Sequence, residues 1–359
     1  MDSTRTLFLL FMPYFLVMPG TLMAQDLSWN LAGSLPVEKG LSGMVAGVSN
    51  GALIVAGGSN FSAPILQGGT KVFYDDIYVA TDLAQLNWRH AGKLPKVLAN
   101  SASVCVGGGI LVMGGTDGSS VSDDVFFLAW DETTQRITID SSFPRLPYPV
   151  ESLSATCLQH TVYVAGGNAA DGKSKHNFWK LKLEGTVDIP RAQWEEMPPW
   201  PGAERAGSVL VGYADGVCER IYLFGGKGTQ YYSDAYAYDP QSNTWKILAP
   251  LPRPAYFSHA VTMGAAQIAV FSGSDGHNAT QAIAMQDNYH MPKDVLSYHT
   301  LNNEWFVLGD MPVGVAGAGI VKRNNQILII GGELRPGIRT GVIQIGALQT
   351  DFQGLPIVR

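Results

Sequence analysis

Apolar residues along this chain gather into short runs that end on paired glycines. The runs are LIVAGG (Gly57, Gly58), ILVMGG (Gly114, Gly115), VYVAGG (Gly166, Gly167), IYLFGG (Gly225, Gly226) and ILIIGG (Gly331, Gly332), with IAVFSG (Ser272, Gly273) as a degenerate copy. Successive first positions lie 57, 52, 59, 47 and 59 residues apart. Apolar, β-branched runs of this length bounded by glycine predict strands. Their recurrence at a near-constant period marks a repeat architecture of six units.

Each unit carries the same later punctuation. A second strand follows the glycines: DDIYVA from Asp75, DDVFFLAW from Asp123, NFWKLKL from Asn177, SDAYAYDP from Ser233 and KDVLSYH from Lys293. A tryptophan strand comes next, at Trp88, Trp194, Trp245 and Trp305, and one unit offers RITID in its place. Leu-Pro or Met-Pro then closes the unit, at Pro95, Pro147, Pro198, Pro252 and Pro312.

This pattern resembles the kelch repeat over essentially the whole chain after its first two dozen residues. The resemblance implies an all-β fold, a six-bladed β-propeller of four-stranded antiparallel blades. A lone blade cannot bury both faces, whereas radial stacking gives each an apolar neighbour on either side. The last unit has no tryptophan strand after it, while DLSWNLAGSLP, with Trp29, has no unit before it. The N-terminal strand is therefore expected to complete the last blade.

Composition narrows the function. The chain has 359 residues, 15% charged, with a net charge of −6 and no basic run, so nucleic acid is not an expected partner. Arg5, the apolar stretch Leu7 to Met18 and the small residue Ala24 predict an export leader over residues 1–24, cut before Gln25. The stretch is short for a membrane anchor and contains Pro13. Residues 25–359 are then expected as a single periplasmic domain with no membrane association. Cys105 and Cys157 each lie nine residues before a Gly-Gly pair, and they read as equivalent small buried side chains, not a bridge. The seven histidines form no metal-binding pattern and no phosphate-binding glycine loop occurs, so no cofactor is expected.

If the strands run outward from the axis, the loops joining strands two and three emerge on one face. The connections between blades emerge on that same face. This mouth gathers Asn60, Lys71 and Tyr74 from the first loop, and His277, Asn288 and His290 from the fifth. The connections add Lys39, Asn100, Glu151, Glu204, Arg205, Arg253 and His259. Loops on a rigid scaffold are where binding residues concentrate. The sixth loop, GGELRPGIRT, reads as a hairpin turn, yet it carries Glu333, Arg335 and Arg339. Glu333 directly follows the inner-strand glycines, which places it beside the axis. A surface ion pair is the plain alternative.

GGELRPGIRT closely resembles a motif of the kelch-type sialic acid mutarotases, the N-acetylneuraminate epimerases of bacteria. Glu333, Pro336, Gly337, Arg339 and Thr340 match it. Phe61, Lys71, Asp76, Ile77 and His259 match elsewhere. The order of segments differs, so the chain resembles the cyclically permuted mutarotase-like group, a change that a closed ring tolerates. The resemblance implies an isomerase that interconverts the α and β anomers of a sialic acid or related sugar. It implies Glu333 as catalytic base and Arg339 as its catalytic partner, with Asn60, Lys71, Arg205 and His259 as candidate substrate contacts. The competing reading is a non-enzymatic propeller that binds a glycan or protein partner. A copper oxidase of the galactose oxidase type would need a Tyr/His ligand set and a crosslinking cysteine, and no such spacing is present.

Overall fold

All five residues of the strand Ala52–Ala56 are buried, because a propeller strand is covered on both faces. Ala52, Ile54 and Ala56 pack with Ile110, Val112 and Trp130 of the next blade. Leu53 and Val55 point the other way, to Leu328, Ile330 and Ile345. The same division recurs around the ring, so that an apolar cluster fills each junction between neighbouring blades. Each fully buried Leu, Ile or Phe contributes about 1.5–3 kcal/mol. This double coverage is why the inner runs read as unbroken apolar stretches and not as alternation.

The computed structural model describes residues 27–82, 85–183, 192–214 and 217–348. The leader expected over residues 1–24 and the cut before Gln25 lie outside the described residues. Six four-stranded antiparallel sheets form the blades. Blade one runs outward through Val45–Ser49, Ala52–Ala56, Asp76–Ala80 and Arg89–Lys93. Blades two to five repeat this order, beginning at Ala102–Val106, Ser154–Leu158, Val209–Ala214 and His259–Met263. Blade six takes three strands from the C-terminal end, Gly319–Arg323, Gln326–Ile330 and Val342–Leu348, and its outer strand, Leu27–Ser34, from the N-terminal end. Trp29 pairs with Gly346 there, so Trp29 and Ile343 share one sheet, as ring closure requires.

The tryptophans fasten blade to blade. The indole N–H groups of Trp194, Trp245 and Trp305 donate to the carbonyls of Pro144, Pro198 and Ala249 at 3.0, 2.7 and 2.9 Å. Each acceptor lies where the preceding blade ends. Blade two, whose outer strand is Arg136–Asp140, instead buries Trp130 on its third strand, under the guanidinium of Arg89 at 4.7 Å.

At the axis the blades are joined by a closed cycle of backbone hydrogen bonds. The N–H of Asn100 donates to Gly43, Ser152 to Asn100, Gly207 to Ser152, Phe257 to Gly207, Gly317 to Phe257 and Gly43 to Gly317, at 2.7–3.0 Å. All six residues lie in the left-handed region, with φ between 50° and 67°. Glycine adopts it freely and asparagine tolerates it, but Ser152 and Phe257 are held there at a cost of about 1–3 kcal/mol each. From this ring an axial cavity of about 370 Å³ extends along the innermost strands. Cys105 and Cys157 line it. Both are free thiols, one exposed and one half-buried, which corrects the expectation that they are buried. The innermost strand borders open space, not another layer.

Candidate active site

Immediately above the ring, each connection pairs with the residue that follows a Gly-Gly turn. The bridges join Ser42 to Ser59, Ala99 to Thr116, Glu151 to Asn168, Ala206 to Lys227, Tyr256 to Ser274 and Ala316 to Glu333. Gly331 and Gly332, with φ of 61° and 107°, turn the chain inward so that the next residue stands beside the axis. Glu333 is fixed there by two backbone bonds with Ala316, at 2.8 and 3.0 Å. None of Glu333, Arg339 and Lys71 lines the axial cavity, so the mouth and the cavity lie on opposite sides of the ring.

The sixth loop is a two-stranded ribbon, Glu333–Arg335 against Ile338–Arg339, turned at Pro336 and Gly337. Its register sets Glu333 opposite Arg339, and the two side chains form an ion pair. Thr340 closes the turn: its N–H donates to the Gly332 carbonyl at 2.9 Å and its hydroxyl accepts from the N–H of Val342 at 3.1 Å. The Arg339 side chain is only 6% exposed and the Glu333 side chain 23%. Desolvation raises the Glu333 carboxyl above its usual range, opposed by the charges of Arg339 and Lys71 and by the Gly337 amide. The Arg339 guanidinium lies 5.3 Å over the Phe61 ring, and its buried Nε has no hydrogen-bond partner.

The first loop supplies a second ribbon, Ser59–Phe61 against Lys71–Phe73, which sets Phe61 opposite Lys71. Glu151 enters from the connection into blade three, its carboxylate accepting from the Asn100 side-chain amide at 3.2 Å. Tyr231, Tyr256 and Lys227 occupy the mouth as well. The two rings meet edge to face at 5.7 Å, and the ammonium lies 4.7 and 5.6 Å over them. The sequence reading missed these three, although Lys227 follows Gly225 and Gly226 just as Glu333 follows Gly331 and Gly332. Arg335 reaches sideways to Asp287 of the fifth loop.

Three of the expected substrate contacts are placed elsewhere. Asn60 is buried, its side-chain amide donating to the Gly40 carbonyl at 2.5 Å and accepting from the Phe61 N–H at 2.6 Å, so it shapes the first loop. Arg205 is completely buried. It forks onto Asp234 at 2.5 and 2.8 Å and also donates to the carbonyls of Gly225 and Ala203. These four bonds tie a connection to its blade. His259 lines the axial cavity, below the ring. Its Nε2 is buried without a partner, and burial pushes its pKa down to about 4, so the ring is neutral at pH 7. Lys71 alone of the four stands with Glu333 and Arg339. Among the described residues no cluster of His, Cys, Asp and Glu could hold a metal ion, and no helix is long and apolar enough to cross a membrane.

Six blades, a repeated Gly-Gly turn and outer-strand indoles that fasten three of the blades to the one before define a kelch-type propeller. Residues 43–273 match the family model described as the KLHDC2/KLHL20/DRC7 Kelch-repeats domain, and the chain belongs to this Kelch-repeat family. It is also similar to curated bacterial proteins. One is an N-acetylneuraminate epimerase of Haemophilus influenzae (strain PittEE), 30% identical over 228 residues that cover 55% of this chain and 57% of that protein. Another, of Yersinia pestis (strain Pestoides F), is 28% identical over 244 residues, 59% of each chain. A third, of Yersinia enterocolitica, is 27% identical over 58% of each chain. The matches thus span less than two thirds of these relatives.

Proposed function

We propose that the chain is a mutarotase that interconverts the α and β anomers of a sialic acid or a closely related acidic sugar. The observation that carries this reading is the Glu333–Arg339 pair. It is a carboxylate beside the axis, held above the usual carboxylate range by burial, facing a guanidinium that keeps a buried unpaired Nε. Anomer exchange opens the sugar ring to a free carbonyl and recloses it on the other face. A base must take the proton of the anomeric hydroxyl, and Glu333 has the position and the basicity for it. A sialic acid also bears a carboxylate on its anomeric carbon. A guanidinium recognises that group through paired hydrogen bonds, and Arg339 is suited to it.

The names of the similar bacterial proteins support the sugar class. Their partial coverage agrees with a permuted order of blades, because a collinear match ends where the order breaks. Export to the periplasm is proposed with this function, from the leader-like residues 1–24 alone. The test is proton NMR of freshly dissolved α-N-acetylneuraminate, with and without protein. Faster appearance of the β anomer than in buffer is expected. No excess on this sugar or on neutral aldoses would refute the mutarotase reading and favour a binding propeller.

A further inference from the structure

Ring opening needs two proton transfers, and Glu333 accounts for one. As the anomeric hydroxyl loses its proton and the bond from the anomeric carbon to the ring oxygen breaks, the ring oxygen must gain a proton. A donor is therefore required on the other side of the sugar. Arg339 is a poor donor, since a guanidinium stays charged. Tyr256 is held above the usual phenol range by burial.

Lys71 is placed differently. It stands at the start of the second strand of the first-loop ribbon, opposite Phe61, which in turn carries the Arg339 guanidinium on its ring. Its Nζ lies 5.0 Å over Phe73. The charged groups that face it are Glu333 and Arg339 from the ribbon of blade six and Glu151 from the connection into blade three. None of them closes an ion pair with it among the described residues, since each acts on it through space. Its own loop, residues 59–73, holds no other charged side chain. The ammonium is thus uncommitted, between two carboxylates and one guanidinium. Lys71 is exposed at the mouth, yet desolvation of its ammonium and the charge of Arg339 hold it below the usual lysine range, while Glu151 and Glu333 oppose the shift. An ammonium so eased is a competent acid nearer neutral pH.

We propose that Lys71 is the catalytic acid that protonates the ring oxygen while Glu333 deprotonates the anomeric hydroxyl. This rests on the mutarotase reading of the same site. In the opening step Glu333 takes the hydroxyl proton, the carbon–oxygen bond breaks onto the ring oxygen, and Lys71 gives that oxygen its proton. The open chain turns about the bond next to the carbonyl. In closure the neutral Lys71 amine takes the proton of the attacking hydroxyl, and Glu333 returns its proton to the carbonyl oxygen. Atoms and charges balance, and both residues are restored.

The test separates a proton donor from a mere anchor for the sugar's carboxylate. Lys71→Arg keeps the charge but cannot release a proton, so kcat should fall about 10²-fold or more while KM changes by less than about tenfold. Wild-type kcat should decline at alkaline pH as Lys71 deprotonates, and the residual rate of Lys71→Arg should lack that limb. The loss should persist on any neutral aldose that wild type accepts. If wild type is active and Glu333→Gln is not, but Lys71→Arg keeps full kcat and the same alkaline limb, Lys71 is an anchor and the proposal is overturned. A wild type inactive on every sugar overturns the mutarotase reading itself, and this assignment with it. Thermal melting of each variant shows whether the fold survives. If Lys71→Arg fails to fold, Lys71→Met is measured in its place, with the same loss of kcat expected and full kcat again overturning the assignment.

Discussion

Glu333 and Arg339 face each other across the ribbon of blade six, carboxylate against guanidinium, each the register partner of the other. Burial raises the carboxyl above its usual range, and the cation opposite limits that rise. The carboxyl is thus held above its usual range, the direction that the proposed role as a base requires. Glu333→Gln keeps the shape but cannot accept one, so the catalysed excess should fall by about 10²–10⁴-fold with the fold intact. In wild type the rate should drop as pH falls through a value above the ordinary carboxylate range. Anomer exchange followed by NMR across pH, with the buffer rate subtracted, checks both.

Arg339→Lys keeps one positive charge and loses the planar fork. A lysine there cannot bind a carboxylate through two parallel hydrogen bonds, nor lie flat over Phe61. Losing one charge-assisted hydrogen bond costs about 1.5–3 kcal/mol, so KM for an acidic sugar should rise by about tenfold or more. Steady-state kinetics measure this, and a neutral aldose should show a smaller change.

Arg205→Ala should act on stability, not on turnover. Removing one member of a fully buried ion pair costs about 3–5 kcal/mol, and the cost here should be smaller, because the Asp234 carboxylate left behind is about a third exposed (34%). The midpoint of urea unfolding should fall, while kcat per folded molecule stays at the wild-type value. A variant of normal stability with lost activity would return Arg205 to the substrate.

His259 should make the fold acid-sensitive. Burial lowers its pKa from the ordinary 6.5 to about 4 on folding, so the unfolded chain binds more protons between those values. Stability from this residue is fully present above pH 6.5 and is lost as pH falls toward 4. The loss is up to about 3 kcal/mol, at about 1.4 kcal/mol per pH unit. Urea midpoints from pH 7 to 4 should decline more steeply in wild type than in His259→Asn.

Gly207→Ala tests the axial ring. A Cβ there would lie 2.6 Å from the Tyr256 ring at a φ of 57°. Strain and overlap together should lower stability by about 1–3 kcal/mol, read as a lower melting temperature. Because Tyr256 borders the mouth, a weaker apparent affinity for sugar should accompany it.

The blades were legible because their grammar is local. Gly-Gly turns and spaced tryptophans act within one unit, and the orphan strand at Trp29 had one vacancy to fill. Glu333 and Arg339 were legible for the same reason, since one short ribbon holds both. Depth was not legible. Asn60, Arg205 and His259 occupy loops or strand starts that lead to the mouth, but whether a side chain turns up to solvent or down into a junction depends on a partner far along the chain. Arg205 meets Asp234 29 residues later, Arg253 meets Asp294 41 residues later, and Lys96 meets Asp124 28 residues later. In retrospect this is a repeat of its own, a cation in the connection and an acid just before or at the opening of the third strand. It marks such cations as fasteners.

The axial ring has one more property. All six of its N–H groups point the same way round, so the peptide dipoles circulate head to tail and their in-plane parts cancel. A helix end presents a fixed partial charge to its ligand, whereas a circulating loop of dipoles presents almost none. The floor beneath Glu333 and Arg339 thus carries no net in-plane dipole from these bonds. Whatever charge preference the mouth shows is written by side chains on this platform, and exchanging those side chains can retune it without touching the scaffold.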